Sequence, residues 1–161
     1  MESLIGIIKD LIRTPEFSSN TYSYPFPAGT EVLGTEKGGR SHTGSFKGAV
    51  DFIVPLGTPI LSPLDGVIEK VVDSNEKYGP LEEFKDFLNY VTIKHASGEY
   101  SQPAHFAKGS ALVKPGDIVK SGQQIGTTGN SGWMDKPHLH FFVFKAALNK
   151  EGFIGLTPRF K

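Results

Sequence analysis

The sequence predicts an all-β domain, built mainly from antiparallel strands, with a short helix at its N-terminus. Three observations carry this. Short apolar runs rich in Val, Ile, Thr and Phe recur along the chain, the pattern of buried and half-buried strands. Nineteen glycines and 11 prolines in 161 residues exceed ordinary usage and separate those runs as turns. Helical spacing of apolar residues is clear only at the start, at Leu4, Ile7, Ile8, Leu11 and Ile12. The length suits a single domain with a sizeable core.

Taken in order, the helix is followed by a turn-rich stretch over 14–41, read as an irregular arm wrapping the domain, with a turn at Gly38–Gly39. Residues 1–41 are thus one unit and residues 42–161 the main domain. The run 48–55, GAVDFIVP, reads as a strand stopped by Pro55, and GTPILSPLDG as a short strand between turns. Over 66–73 the alternation of Val67, Glu69 and Val71 against Ile68, Lys70 and Val72 marks a strand. The polar segment 74–87 breaks the β pattern and reads as a surface insertion with one helical turn at Leu81–Phe87. LNYVTIKH (88–95) and EYSQPAHF (99–106) flank the turn Ala96-Ser97-Gly98, which predicts a hairpin. VKPGDIVKSGQQIGTTGNSG reads as very short strands and turns, and HLHFFVFKAAL as the last long strand.

Composition narrows the function. Seventeen basic and 17 acidic side chains cancel, and no basic run gives a nucleic-acid footprint. The absence of cysteine excludes disulfides and thiolate zinc sites, so a metal here needs His and carboxylate ligands. No apolar stretch is long enough to span a membrane. Glu2 stands where a signal peptide carries positive charge, and the apolar run Leu4–Ile8 is short and followed by Lys9-Asp10, so no clear export signal is read.

The chemistry concentrates in Pro137-His138-Leu139-His140-Phe141. Two histidines at i and i+2 on a strand share a face, so one imidazole can bind a metal while its neighbour reaches the same bound water. Alone, this pattern equally fits two imidazoles on a half-exposed face. Asp51 lies in the apolar strand AVDFIVP, where a carboxylate is costly unless paired or ligated. His42 sits in the Gly-rich loop before that strand, and His105 ends the hairpin. His95, beside the hairpin turn, reads as structural. Trp133 and Met134 fit either a groove lining or the edge of the core. GTTGNSG opens no helix and is no phosphate loop.

Together, VDFIVPLGTPILSPLDGVI, GEYSQPAHF, VKPGDIVKSGQQIG, GNSG and PHLHF resemble the lysostaphin-type (LytM-like) zinc metallopeptidases, with matching order and spacing over about residues 42–145. The resemblance implies a groove between β-sheets of a sandwich-like, duplicated hybrid-motif fold, here over 42–161. It implies one Zn2+ held by His42, Asp51 and His140, with His138 and His105 as the catalytic pair. It also implies a peptidoglycan or other peptide substrate, and a family usually secreted, periplasmic or held at the cell wall. Three N/O ligands leave a fourth position for water, as in catalytic zinc sites. One imidazole takes the water's proton and the other bonds the developing oxyanion. His138, tied to the ligand strand, is favoured as the base.

The chain departs from the family pattern at two motifs. The family's His-x-x-x-Asp is replaced by Lys47 four residues before Asp51, with His42 nine before it. Its Tyr-x-His is here Pro103-Ala104-His105, with Tyr100 nearby. A competing reading is an inactive or latent wall-binding or regulatory module of the same fold, for which an incomplete ligand set would speak. A phosphoryl-carrier domain is a third, disfavoured by Asp51 and the tight His-x-His.

Overall fold

The computed structural model describes residues 16–38 and 42–161. The expected N-terminal helix and the turn at Gly38–Gly39 lie wholly or partly outside the described residues. The strands are β1 (Phe17–Tyr22), β2 (Gly34–Glu36), β3 (Val50–Ile53), β4 (Pro59–Leu61), β5 (Gly66–Val72), β6 (Tyr78–Gly79), β7 (Tyr90–Lys94), β8 (Glu99–Ala104), β9 (Ile118–Val119), β10 (Gln124–Thr127), β11 (Gly132–Trp133), β12 (Leu139–Ala146) and β13 (Phe153–Phe160). Short 3-10 turns cover Gly44–Phe46, Glu82–Phe87 and Ala96–Gly98. No described helix is long and apolar enough to cross a membrane.

One nine-stranded sheet runs β1-β13-β12-β8-β7-β5-β9, and β3, carrying β2 beside it, also joins β12. Two small sheets, β10-β4 and β11-β6, flank it. Pairing is antiparallel except for β1 with β13 and β11 with β6. The expected β7–β8 hairpin is present, and Ser97 and Gly98 both adopt positive φ, the conformation that tight hairpin turns ask for.

The N-terminal half of β12 lies between two strands. Residues 139–141 pair with β3 on one side, while 140–145 pair with β8 on the other. Along β12 the side chains alternate. Leu139, Phe141 and Val143 are fully buried in the core with Phe52, Ile60, Val91, Ile93, Phe106 and Leu156. Burying each such side chain contributes about 1.5–3 kcal/mol. The opposite face carries His140, Phe142 and Phe144, and Phe46 and Phe153 pack on Phe142.

Two expectations are corrected. β12 is not the last long strand, because the eight residues of β13 follow it and pair along its C-terminal half. The stretch 14–41 is not irregular throughout, since β1 and β2 are both sheet strands. β1 pairs with β13, some 140 residues away in sequence, so nothing local announces it. Buried Glu99 holds the junction, accepting from the Ser19 and Asn20 backbone N–H groups at 2.7 and 3.1 Å and from the Tyr22 hydroxyl at 3.0 Å. Those bonds offset the cost of enclosing a carboxylate.

Candidate metal centre

Strand register builds the centre. His140 on β12 stands directly opposite Asp51 on β3 and Ala104 on β8, and Glu36 on β2 stands opposite Asp51. Directly paired residues share a sheet face, so Glu36, Asp51 and His140 form one row. His138, two residues earlier, joins that face. His42 arrives from the loop: the turn Gly44–Phe46 takes up the extra length before β3 and returns the imidazole to Asp51. Lys47 stays exposed and takes no part.

His105 reaches the group by leaving its strand. Continued alternation after Ala104 would send it to the core face. Instead its φ is +72°, in the left-handed region that is uncommon for a non-glycine residue. The ring then meets His138 edge to face, with centroids 4.3 Å apart. Its Nδ1–H donates to the Ser131 carbonyl at 2.6 Å, so Nε2 is the free acceptor. His138 is fixed the same way, Nδ1–H donating to the Lys136 carbonyl at 2.9 Å, and its Nε2 lies 3.7 Å from Asp51 Oδ1.

Three ligand atoms converge. Asp51 Oδ1 lies 2.9 Å from His140 Nδ1 and 3.2 Å from His42 Nε2, and the two nitrogens are 3.3 Å apart. A tetrahedral ion with Zn–N and Zn–O bonds of ordinary length sets its ligand atoms about 3.3 Å apart, so the triangle fits one metal ion. No other cluster of this kind occurs among the described residues. His42 presents Nε2 to Asp51 and His140, the nitrogen that would bind the ion.

Electrostatics follow. Burial would lift the Asp51 carboxyl, but its bonds to His140 and His42 hold it well below the usual carboxylate range. Burial would lower His42, yet the Asp51 carboxylate outweighs it and raises that imidazole. Burial pushes His105 down to about 3, helped by His138 and His140, so it stays neutral.

The site opens on a groove of about 630 Å³, with Phe46, Pro80, Leu88, Trp133 and Met134 as apolar walls. Trp133 and Met134 therefore line the groove, and Met134 is also nearly buried. Trp133 is anchored by its indole N–H, which donates to the Pro80 carbonyl at 2.9 Å. Lys136 bridges to Glu36 across the rim at 2.6 Å.

Other expectations resolve simply. His95 lies in the core, its Nδ1–H donating to the Asp65 carbonyl at 2.8 Å and its Nε2 accepting from the Ser101 hydroxyl at 2.7 Å. Tyr100 stacks on Phe144 four residues along β8 from Ala104, and so does not replace the tyrosine of Tyr-x-His. Sequence reasoning missed Gln102 and Glu36, which line the groove, and Asn89 and Ser131, which hold His105. Only Asn89 left a signal, as a polar residue inside the apolar run LNYVTI.

Comparisons with known proteins agree with this geometry. The sequence model of peptidase family M23 matches residues 45–151. The chain is 38% identical over 110 residues to the peptidoglycan DD-endopeptidase ShyC of Vibrio cholerae, covering 67% of this chain and 23% of that protein. It is 41% identical over 95 residues to an uncharacterized metalloprotease of Buchnera aphidicola, covering 59% of this chain and 22% of that one. The chain thus spans less than a quarter of the length of these relatives. Among solved structures, a zinc-containing peptidase from Vibrio cholerae superposes with a TM-score of 0.56 at 27% identity, over 86% of this chain and 40% of that one. The catalytic domain of lysostaphin from Staphylococcus simulans gives a TM-score of 0.52 at 25% identity, over 86% and 88% of the two chains. The family match spans well over half of the chain, and the site fits one ion: the chain belongs to peptidase family M23, with the lysostaphin-type fold.

Proposed function

We propose that this chain is a zinc-dependent endopeptidase acting on peptide bonds of peptidoglycan stem peptides or cross-bridges. The observation that carries the reading is the convergence of Asp51 Oδ1, His42 Nε2 and His140 Nδ1 at 2.9–3.3 Å on the floor of an open groove. The similarity to ShyC, a peptidoglycan DD-endopeptidase, supports the substrate class.

His42, Asp51 and His140 would hold the ion. Zinc bound there would polarise the scissile carbonyl and lower the pKa of a water to about 7. His138 is the base: its Nε2 is unprotonated in the neutral ring and lies 3.7 Å from Asp51 Oδ1, beside the ligand triangle. It takes the water's proton at Nε2 and returns it to the leaving amine. His105, kept neutral by burial and with its proton on Nδ1, offers Nε2 as a second acceptor next to His138, and so does not supply the oxyanion donor that the sequence led us to expect. The groove walls around Trp133 and Phe46 hold the peptide and exclude water from the reacting bond.

The binding-module reading calls for an incomplete ligand set, and His42 at 3.2 Å from Asp51 speaks against it. The test is release of new amino groups from a panel of purified cell walls, with chelator and then with zinc restored. Chelator-sensitive release that zinc restores is expected, and the wall cleaved narrows the bond. No release from any wall by zinc-loaded protein would refute the peptidase reading.

A further inference from the structure

Asn89 is fully buried immediately before β7, and its polar groups are all engaged. Its carbonyl accepts from the His105 N–H at 2.9 Å and the Phe106 N–H at 3.3 Å. Its amide Nδ2 donates to the Phe106 and Asn75 carbonyls at 3.1 and 2.8 Å, and Oδ1 accepts from the Asn75 N–H at 3.0 Å. Its own backbone N–H donates to Ser131 Oγ at 3.1 Å. Ser131 is also fully buried, and its carbonyl is the acceptor that fixes His105 Nδ1 at 2.6 Å. The Asn89 main chain thus meets the His105 and Phe106 N–H groups and Ser131 Oγ, and its side-chain amide, tied to the Phe106 carbonyl and to the Asn75 backbone, fixes where that main chain sits.

His105 needs such a grip. A left-handed backbone at a histidine is strained, and strain persists only where the surroundings over-determine it. A neutral imidazole also has two tautomers, and the one present is set by the bond its other nitrogen makes. Both conditions lead back to Asn89. A fully enclosed amide in an apolar run is costly to keep unless satisfied, and here its partners are the carbonyl of Phe106, next to the groove histidine, and the backbone of Asn75.

We propose that Asn89 is a positioning residue for His105: it holds the left-handed backbone there and, with Ser131, presents the imidazole to the groove as its Nδ1–H tautomer. The kinetic consequence rests on the peptidase reading; the tautomer does not.

The test uses the zinc-loaded protein and two variants, Asn89→Ala and Ser131→Ala. The first removes the amide's bonds to Phe106 and Asn75 and keeps the main-chain bonds, and the second removes only the hydroxyl acceptor and leaves the carbonyl in place. Nitrogen-15 NMR of the histidine side chains reads the tautomer directly. The wild type is expected to show Nδ1–H at His105, Asn89→Ala a mixture of tautomers, and Ser131→Ala a smaller shift the same way. In kinetics Asn89→Ala is expected to lower kcat about 10- to 100-fold with KM unchanged, as for a group displaced from its working geometry, with one zinc still bound. An unchanged His105 tautomer in folded Asn89→Ala overturns the proposal, whatever the rate does. If Asn89→Ala does not fold, an unchanged tautomer in Ser131→Ala overturns it instead. A wild type that cleaves nothing, but whose His105 tautomer responds to Asn89→Ala, would sink the peptidase reading and leave the positioning role standing.

Discussion

Asp51 Oδ1 lies 2.9 Å from His140 Nδ1 because the two residues face each other directly across antiparallel strands β3 and β12. The pair is therefore as rigid as the sheet, and the loop residue His42 completes the triangle from outside it. A site built on strands holds its geometry better than one built on loops.

On the proposed function, that arrangement predicts that metal binding and turnover can be separated. His140→Ala and Asp51→Ala should each abolish binding of the single zinc, read by metal analysis after dialysis. His138→Ala should keep one zinc and lose about 100- to 10,000-fold in turnover, the range for a general base. Retained turnover in the His138 variant would sink the base assignment.

Acid should destabilise the metal-free protein through His105. Its folded value, lowered by burial to about 3, lies below the unfolded value near 6.5. The unfolded chain therefore binds the extra proton, and the stability His105 contributes is present above about pH 6.5 and lost as pH falls toward 3. Asp51, held low by His140 and His42 against its burial, adds a further loss below the ordinary carboxylate range. His105→Asn, which tolerates the left-handed backbone, should flatten the loss between pH 6.5 and 4 by about 1.4 kcal/mol per pH unit. Denaturant titrations of both proteins across that range decide it; parallel curves would refute the assignment of this window to His105.

Gly155 connects β13 to the site. A Cβ there would stand 2.2 Å from the Lys47 carbonyl oxygen and 2.7 Å from that of Ser45. These residues belong to the turn between His42 and Asp51. Gly155→Ala should cost about 1–3 kcal/mol by overpacking and also weaken zinc binding, because the turn must move. Calorimetric zinc titration checks the second part, and wild-type affinity in a destabilised variant would show that the turn does not set His42.

Opposite faces of β12 should respond oppositely. Phe141→Ala removes a fully buried ring and should cost about 3–5 kcal/mol in denaturant unfolding. His140→Ala, one residue away on the groove face, should leave the unfolding free energy of the metal-free protein far less changed while abolishing zinc binding. Equal losses in the two variants would mean that the alternation does not divide core from site.

Much of this was legible in the sequence. The period-2 pattern gave β5, the turn Ala96–Gly98 gave the β7–β8 hairpin, and His-x-His gave the shared face of His138 and His140. Three features were not. β1 escaped notice because its partner β13 lies at the other end of the chain, and β13 because Gly155 and Pro158 interrupt its apolar pattern. The grip on His105 escaped because it joins Asn75, Asn89 and Ser131, separated by 14 and 42 residues.

By itself, the sequence determined the residue types the chemistry needs and the faces they take, because alternation along a strand and the absence of thiols are local facts. It also determined the family resemblance, through the spacing of its motif blocks. Only the tertiary structure decided that His42 closes on Asp51 despite the longer loop, that His105 turns left-handed out of β8 toward His138, and that Asn89 and Ser131 stand behind it. Those are relations between segments distant in the chain. They are fixed by strand register and by buried polar groups that must find partners, and neither has a local signature.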